Sequence, residues 1–306
     1  MKPRILVTGG AGFVGSHLVR LLRLNHYEVA VLLRPNSTPR RIADLLPSCR
    51  VIRGDLSDVP RMSSGVFSFQ PEIVLHFAWT GVGGQARNEP TQVQNVTNSL
   101  RFLELVADAG CRCYIAAGSQ AEYGPWPHAI TEDTATRPAT LYGSCKLRHC
   151  LESAEFCAQR NIRFAWLRLF SLYGPDDNPD WMIPYVIATI AKGLRPALTA
   201  GEQLWDYLYV DDAAEAIFAL LMQPAAKGIF NLGSGQCYRL RTVIEELRDL
   251  INPSVDLGFG DIPYRRDQVM HLRADVSKLT KATGWYPRTS ISEGLKRTVS
   301  WYTKAT

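Results

Sequence analysis

The chain has 306 residues, 46% of them hydrophobic and 21% charged, enough to bury a full core as one large or two modest folding units. Its formal charge of +5 is small for that length and no dense Lys/Arg run occurs, so nothing marks a nucleic-acid binder; a mild basic bias suits a phosphorylated ligand. The chain opens without a signal peptide's apolar stretch, and no uninterrupted apolar run is long enough to cross a bilayer, so the expectation is a cytoplasmic protein with no membrane partner.

A short strand over 4–7 leads into Thr8-Gly9-Gly10-Ala11-Gly12-Phe13-Val14-Gly15 and then into an amphipathic helix near 15–25. In such a strand-turn-helix the glycines permit a tight turn and close backbone approach, and the helix N-terminus offers unpaired N–H groups to a pyrophosphate. The spacing is Gly9-x-x-Gly12-x-x-Gly15 rather than G-x-G-x-x-G, and a purely structural glycine turn is the alternative. A second strand over 29–33 ends at Leu33-Arg34. A carboxylate there serves NAD, whereas an arginine accommodates a 2′-phosphate, so Arg34, with Arg40 and Arg41 nearby, favours NADP(H) over NAD(H). The plainer reading is that Arg34 faces solvent.

Further strands over 73–77, 113–117 and 164–169 alternate with helices near 91–109 and 142–159. That alternation predicts an α/β fold with a Rossmann-type doubly wound parallel sheet. After Gly174-Pro175 the pattern is broken by Pro184, Pro196, Pro224, Pro253 and Pro263. The expected division is a dinucleotide-binding unit over 1–172, completed by 205–230, and a smaller C-terminal α/β substrate lobe over 173–306. Seven scattered cysteines give no disulfide framework, and Cys111-x-Cys113 lacks a second Cys/His pair, so no metal is expected. His76, closing the run Ile73-Val74-Leu75, reads as a satisfied core histidine.

Tyr142 and Lys146 stand four apart on one predicted helix, so they share a face and the cation is expected to hold the phenol's proton affinity down. Ser119 lies 23 residues upstream of Tyr142, at the end of a strand. Such a set makes a tunable acid/base with a hydroxyl to hold the reacting oxygen. The ordinary alternatives are a solvent-facing Tyr and Lys, and a turn serine.

Taken in order, these segments resemble the extended short-chain dehydrogenase/reductases of the nucleotide-sugar type, a group of epimerases, dehydratases and ketoreductases. The likeness runs the whole length. It includes Gly54-Asp55-Leu56-Ser57-Asp58 as an adenine-contacting turn, His76-Phe77-Ala78-Trp79 beside the cofactor, and Asn95-Val96-Thr97-Asn98 at the following helix. Gly118-Ser119-Gln120-Ala121-Glu122-Tyr123-Gly124 resembles the segment carrying the active-site hydroxyl, and Leu167 to Pro175, Trp205 to Ala214 and Phe230 to Gly235 match further signatures. The resemblance implies cofactor contacts at Thr8, Gly9, Gly12, Phe13, Val14, Gly15, Arg34, Asp55, Leu56, Phe77, Ala78, Trp79 and Asn95, together with Tyr142 and Lys146. It implies a nucleoside-diphosphate sugar held by Ser119, Gln120, Tyr142, Trp205 and Arg265, with Arg266 an alternative diphosphate clamp. Trp205 departs from the arginine many relatives carry there.

Dehydratases of this group carry an Asp-Glu pair directly after the hydroxyl residue, where this chain has Gln120 and Ala121. Glu122 comes one position late, turned away by strand alternation, and is expected to be structural. The segment 260–270 resembles family members that reduce 4-keto-6-deoxy sugar nucleotides. The reading is therefore an NADP(H)-dependent 4-ketoreductase with Ser119, Tyr142 and Lys146 catalytic; a 4-epimerase retaining NAD is the alternative, and a non-catalytic dinucleotide sensor a third. Relatives pair through helices that here span 91–109 and 142–159, implying a homodimer. Spacing alone leaves Asn98, Leu103 and Cys150 unsorted between core and interface.

Overall fold

A computed structural model describes residues 2–265 and 268–304. Ile5, Leu6 and Val7 are fully buried in β1 (Arg4–Thr8), the unbroken apolar run required of a strand whose sheet is covered on both faces. There follow α1 (Phe13–Leu24), β2 (Glu28–Leu33), β3 (Arg50–Arg53), α2 (Val59–Phe69), β4 (Ile73–His76), α3 (Thr91–Asp108), β5 (Cys113–Ser119), α4 (Leu141–Gln159) and β6 (Arg163–Leu169). Next come β7 (Ser171–Tyr173), α5 (Met182–Ala191), β8 (Ala197–Leu198), β9 (Leu204–Tyr209), α6 (Val210–Leu221) and β10 (Gly228–Leu232). Seven of these strands form one parallel sheet in the order β10-β6-β5-β4-β1-β2-β3. The order reverses between β1 and β4, which opens a ligand crevice at their carboxyl ends. The expected doubly wound Rossmann-type sheet is thus present, with β3, α2 and the edge strand β10 added to the predicted elements.

Alternate residues of the strands feed opposite cores. Val7, Val31 and Ile115 pack against Leu18 and Leu22 of α1 and Ile217 and Leu220 of α6. Leu6, Val74 and Tyr114 pack against Met62 of α2, Phe102 and Leu103 of α3, and Cys150 of α4. Leu103 and Cys150 therefore belong to the core, and Asn98 is buried with them. All seven cysteines are free thiols, and Cys111 and Cys113 are buried. Among the described residues no group of three or more His, Cys, Asp or Glu could hold a metal ion, and no helix is long and apolar enough to cross a membrane.

The chain ends with β11 (Cys237–Arg239), α7 (Leu240–Ile251), β12 (Gly258–Phe259), β13 (His271–Leu272), α8 (Ser277–Thr283) and α9 (Ile291–Lys304). Within the stretch 205–230, α6 packs on α1 and β10 pairs with β6, whereas β9 lies in a second, smaller sheet with β7, β11 and β13. Ile187 of α5, Val243 and Leu247 of α7, and Leu295 of α9 close a third core around Tyr173, Tyr207 and Tyr209. Of these elements, β7, the start of α5 and β9 contribute Tyr173, Ile183, Trp205 and Tyr207 to the wall of the cavity into which the glycine turn faces.

Candidate active site

Gly9 has φ +69°, and a Cβ there would lie 2.6 Å from the backbone carbonyl carbon of Phe77; a Cβ on Gly15 would lie 2.1 Å from the Gly9 oxygen. Only glycine lets this turn press against the exit of β4 while α1 starts behind it. Gly12 begins α1 with no side-chain cap, and the first turn carries no acidic residue, so its N–H groups and positive dipole end are left for an anion. Gly9, Gly12, Phe13, Val14 and Gly15 all face one cavity of about 710 Å³. This cradle fits a dinucleotide pyrophosphate. Thr8 serves the turn from behind: its buried hydroxyl meets His76 Nδ1 at 2.9 Å and accepts from Ala78 N at 3.2 Å. His76 also meets the Ser99 hydroxyl at 3.1 Å, and burial drives its pKa down to about 3, so it is the neutral core histidine expected.

Ser119 ends β5 on the same cavity. Its N–H donates to Glu122 Oε1 at 2.8 Å, which also accepts from the Trp166 indole at 2.9 Å, while Oε2 pairs with Arg168 at 2.7 Å. Glu122 is thus structural, though for a different reason than strand alternation: β5 runs on to Ser119 and Glu122 lies in the one-turn 3-10 helix beyond it.

Thr140 Oγ1 accepts from Gly143 N at 3.1 Å and starts α4, placing Tyr142 and Lys146 one turn apart with both side chains buried in the cavity wall. Ser119 and Tyr142 line the same cavity, so the two hydroxyls share the wall where a reacting oxygen would be held. Burial raises the Tyr142 phenol above its usual range, against the nearby Ser119 hydroxyl and the charge of Arg87. Lys146 lies one turn along α4 from Tyr142. Its Nζ donates to the Ala117 carbonyl at 2.7 Å and lies 3.8 Å from the centroid of the Trp79 ring, and burial brings its pKa down to about 7. The cation set over Tyr142 is Arg87, 5.0 Å from the ring centroid, on a turn the sequence reading passed over.

Phe77, Trp79, Gln120 and Trp205 line the same cavity. Asn95 stands outside it and fixes the loop after β4, its Nδ2 donating to Thr80 O at 2.8 Å. Asp55 accepts from the Ser57 N–H at 2.9 Å and hydroxyl at 2.7 Å, starting the short turn that carries Leu56. Those bonds, with Arg34 nearby, hold its carboxyl below the usual range. Arg34 itself is exposed at the end of β2, after a buried Leu33. Arg34, Asp55 and Leu56 follow the ends of the neighbouring strands β2 and β3 and are not part of the cavity lining. Arg265 is exposed and also outside the lining, and Arg266 lies outside the described residues. Besides Arg87, sequence reasoning missed Trp181 and Asp177, which share the cavity wall with Arg41, a residue named from sequence only for its nearness to Arg34. Burial raises the Asp177 carboxyl to about 7, opposed by its bond to Asn178 N and by Arg41. None of them stands at motif spacing from Tyr142.

Residues 5–233 match the family model described as the NAD dependent epimerase/dehydratase family. The chain belongs to that family. Among its similar members are a UDP-glucose 4-epimerase of Corynebacterium glutamicum, 30% identical across 93% of this chain and 91% of the relative, and dTDP-glucose 4,6-dehydratase 1 of Escherichia coli, 27% identical across 98% and 92%. A solved family structure, the UDP-glucose 4-epimerase of Thermus thermophilus complexed with NAD, superposes with a TM-score of 0.85 at 26% identity, covering 99% of this chain and 100% of that one. Family membership makes this an NAD(P)-dependent enzyme of nucleotide-sugar chemistry.

Proposed function

We propose that this chain reduces the 4-keto group of a nucleoside-diphosphate (6-deoxy) sugar using NADP(H). The observation that carries the reading is the hydroxyl pair Ser119 and Tyr142 on a cavity shared with the glycine turn, without a carboxylate free beside Ser119 to drive elimination. Gln120 faces the cavity, Ala121 is buried, and Glu122 is committed to Arg168, Trp166 and the Ser119 N–H. A bound nicotinamide supplies or accepts the hydride. Gly9, Gly12, Phe13, Val14 and Gly15 would hold the pyrophosphate, and Tyr142 and Lys146 would flank the nicotinamide end. Ser119 orients the sugar oxygen, and Tyr142 gives it a proton. The Lys146 amine, near neutrality, keeps a donor beside the site without forcing a full buried charge. Arg34 and the absence of a carboxylate at the end of β2 support NADP(H).

The 4-epimerase retaining NAD is the second reading, favoured by the names of the relatives. Purified protein mixed with nucleoside-diphosphate 4-keto-6-deoxyhexoses, and in parallel with UDP-glucose, with NADPH and NADH absorbance followed and the product sugar identified, separates the two. Loss of NADPH matched by a new 4-hydroxyl supports the reductase. Isomerised UDP-glucose with no net cofactor change supports the epimerase.

A further inference from the structure

Trp79, just beyond β4, touches both Tyr142 and Lys146. Its ring centroid lies 3.8 Å from Lys146 Nζ, and the ring meets that of Tyr142 at 6.2 Å and 83°. The indole is held in this pose. Its Nε1 donates to Gln92 Oε1 at 2.8 Å, and Gln92, fully buried in the first turn of α3, donates in its turn to Gly81 O at 2.7 Å and Ala86 O at 2.8 Å. From α4, His149 stacks on Trp79 at 5.7 Å and meets Trp166 edge-on at 5.1 Å, and the Trp166 ring stands 6.0 Å from Lys146 Nζ. Two indoles and the Ala117 carbonyl thus surround an amine that burial deprives of water. The charged and titratable groups near it are Glu122, whose carboxylate favours the ammonium and is itself paired with Arg168, Tyr142 on α4 beneath Arg87, and His76 and His149, both kept neutral by burial.

We propose that Trp79 is a positioning residue acting through Lys146: its ring face stabilises the protonated amine and holds it one turn from Tyr142, where the ammonium answers the charge that forms on the phenol. The inference rests on the reading of Ser119, Tyr142 and Lys146 as the catalytic set. The face of an indole carries the negative part of the ring quadrupole, and its attraction for a cation grows where water is excluded. A neutral amine gains nothing comparable. The ring therefore favours the charged form of Lys146 and opposes the desolvation that works against it. No bond is made or broken at Trp79.

The test needs no substrate. The purified chain is labelled with ¹³C at the lysine ε carbons, the Lys146 signal is identified by its loss in Lys146→Met, and its proton and carbon shifts are followed against pH. In the wild type the Lys146 ε protons are expected upfield of the other lysines, the ring-current signature of an amine over an aromatic face. In Trp79→Leu the titration midpoint is expected to fall by about one pH unit, a tenfold loss of proton affinity, and in Trp79→Phe, which keeps an aromatic face, by less. A merely covering role predicts the opposite, because opening the wall lets water in and raises the midpoint toward the ordinary lysine range. Melting curves establish that each variant folds; should Trp79→Leu not fold, Trp79→Met replaces it. A midpoint unchanged or raised in the folded variant, a Trp79→Phe protein no better than Trp79→Leu, or wild-type Lys146 protons without the upfield shift overturns the proposal. Failure of the underlying reading shows separately, as a wild-type protein that turns over none of the sugar nucleotides whatever its lysine titration.

Discussion

Glu122 and Arg168 are 2.7 Å apart with 0% and 3% of their side chains exposed. Removing one charge of such a pair leaves the other buried and uncompensated, which costs about 3–5 kcal/mol. Glu122→Gln is therefore expected to lower unfolding stability by about 3 kcal/mol, read as a shifted urea midpoint at unchanged slope. Lys146 poses the reverse case. Burial holds its folded pKa at about 7 against an ordinary 10.5, so between those values the unfolded chain binds a proton that the folded chain lacks. Stability contributed by this group rises with pH across that window, and the penalty of a buried ammonium is fully present below about 7. Lys146→Met should melt several degrees higher than wild type on the acid side of that window, with the advantage gone at its alkaline end; scanning fluorimetry at both ends reads it. Equal melting on the acid side would mean the amine keeps its hydration. Tyr142, Lys146 and Ser119 were legible because their chemistry needs fixed spacing on a helix and a strand end. Arg87 was not, because it reaches Tyr142 from a loop 55 residues earlier, where sequence spacing carries no geometry.

At the level of elements, legibility followed apolar density. β1, β5 and β6 are central strands with nearly every residue buried, so each reads as an apolar run, interrupted in β6 by Arg168. β3 is the sheet's edge, with one buried residue among four, and α2 buries only Met62, Val66 and Phe69 among its serines and a glycine. Both fall below what periodicity detects. The glycine turn was legible for a sharper reason, since each glycine answers to a contact. A Cβ at Gly15 would sit 2.1 Å from the Gly9 carbonyl oxygen, so Gly15→Ala must push α1 away from the turn. The cradle then opens while both cores stay intact. The expected outcome is a folded protein whose affinity for NADP⁺ and NAD⁺ falls at least tenfold, about 1.4 kcal/mol, by titration calorimetry. Unchanged affinity would mean that the pyrophosphate is held elsewhere.

For the molecule as a whole, the cavity is assembled at the seam between the parallel sheet and the elements after β6, and that seam is what the sequence conceals most. Trp181 packs against Gly83, where a Cβ would meet its ring at 2.9 Å, although almost a hundred residues separate them. Association is the remaining question at this scale. α3 and α4 pack side by side, and each carries a large apolar side chain in solvent, Val93 at 44% and Leu151 at 58% exposed. Leu103 and Cys150, by contrast, are spent on the monomer's own core and leave nothing for a partner. If two copies pair through these helices, burying Leu151 removes apolar surface from water on both sides of a two-fold axis, so one substitution is felt twice. Light scattering on the purified chain is expected to give twice the 34.2 kDa of one copy. Leu151→Glu should return it to that monomer mass at micromolar concentration with an unchanged melting curve for the fold. A wild-type mass of one copy, or a dimer indifferent to Leu151→Glu, would remove these helices from the interface and leave their exposed apolar groups as ordinary surface.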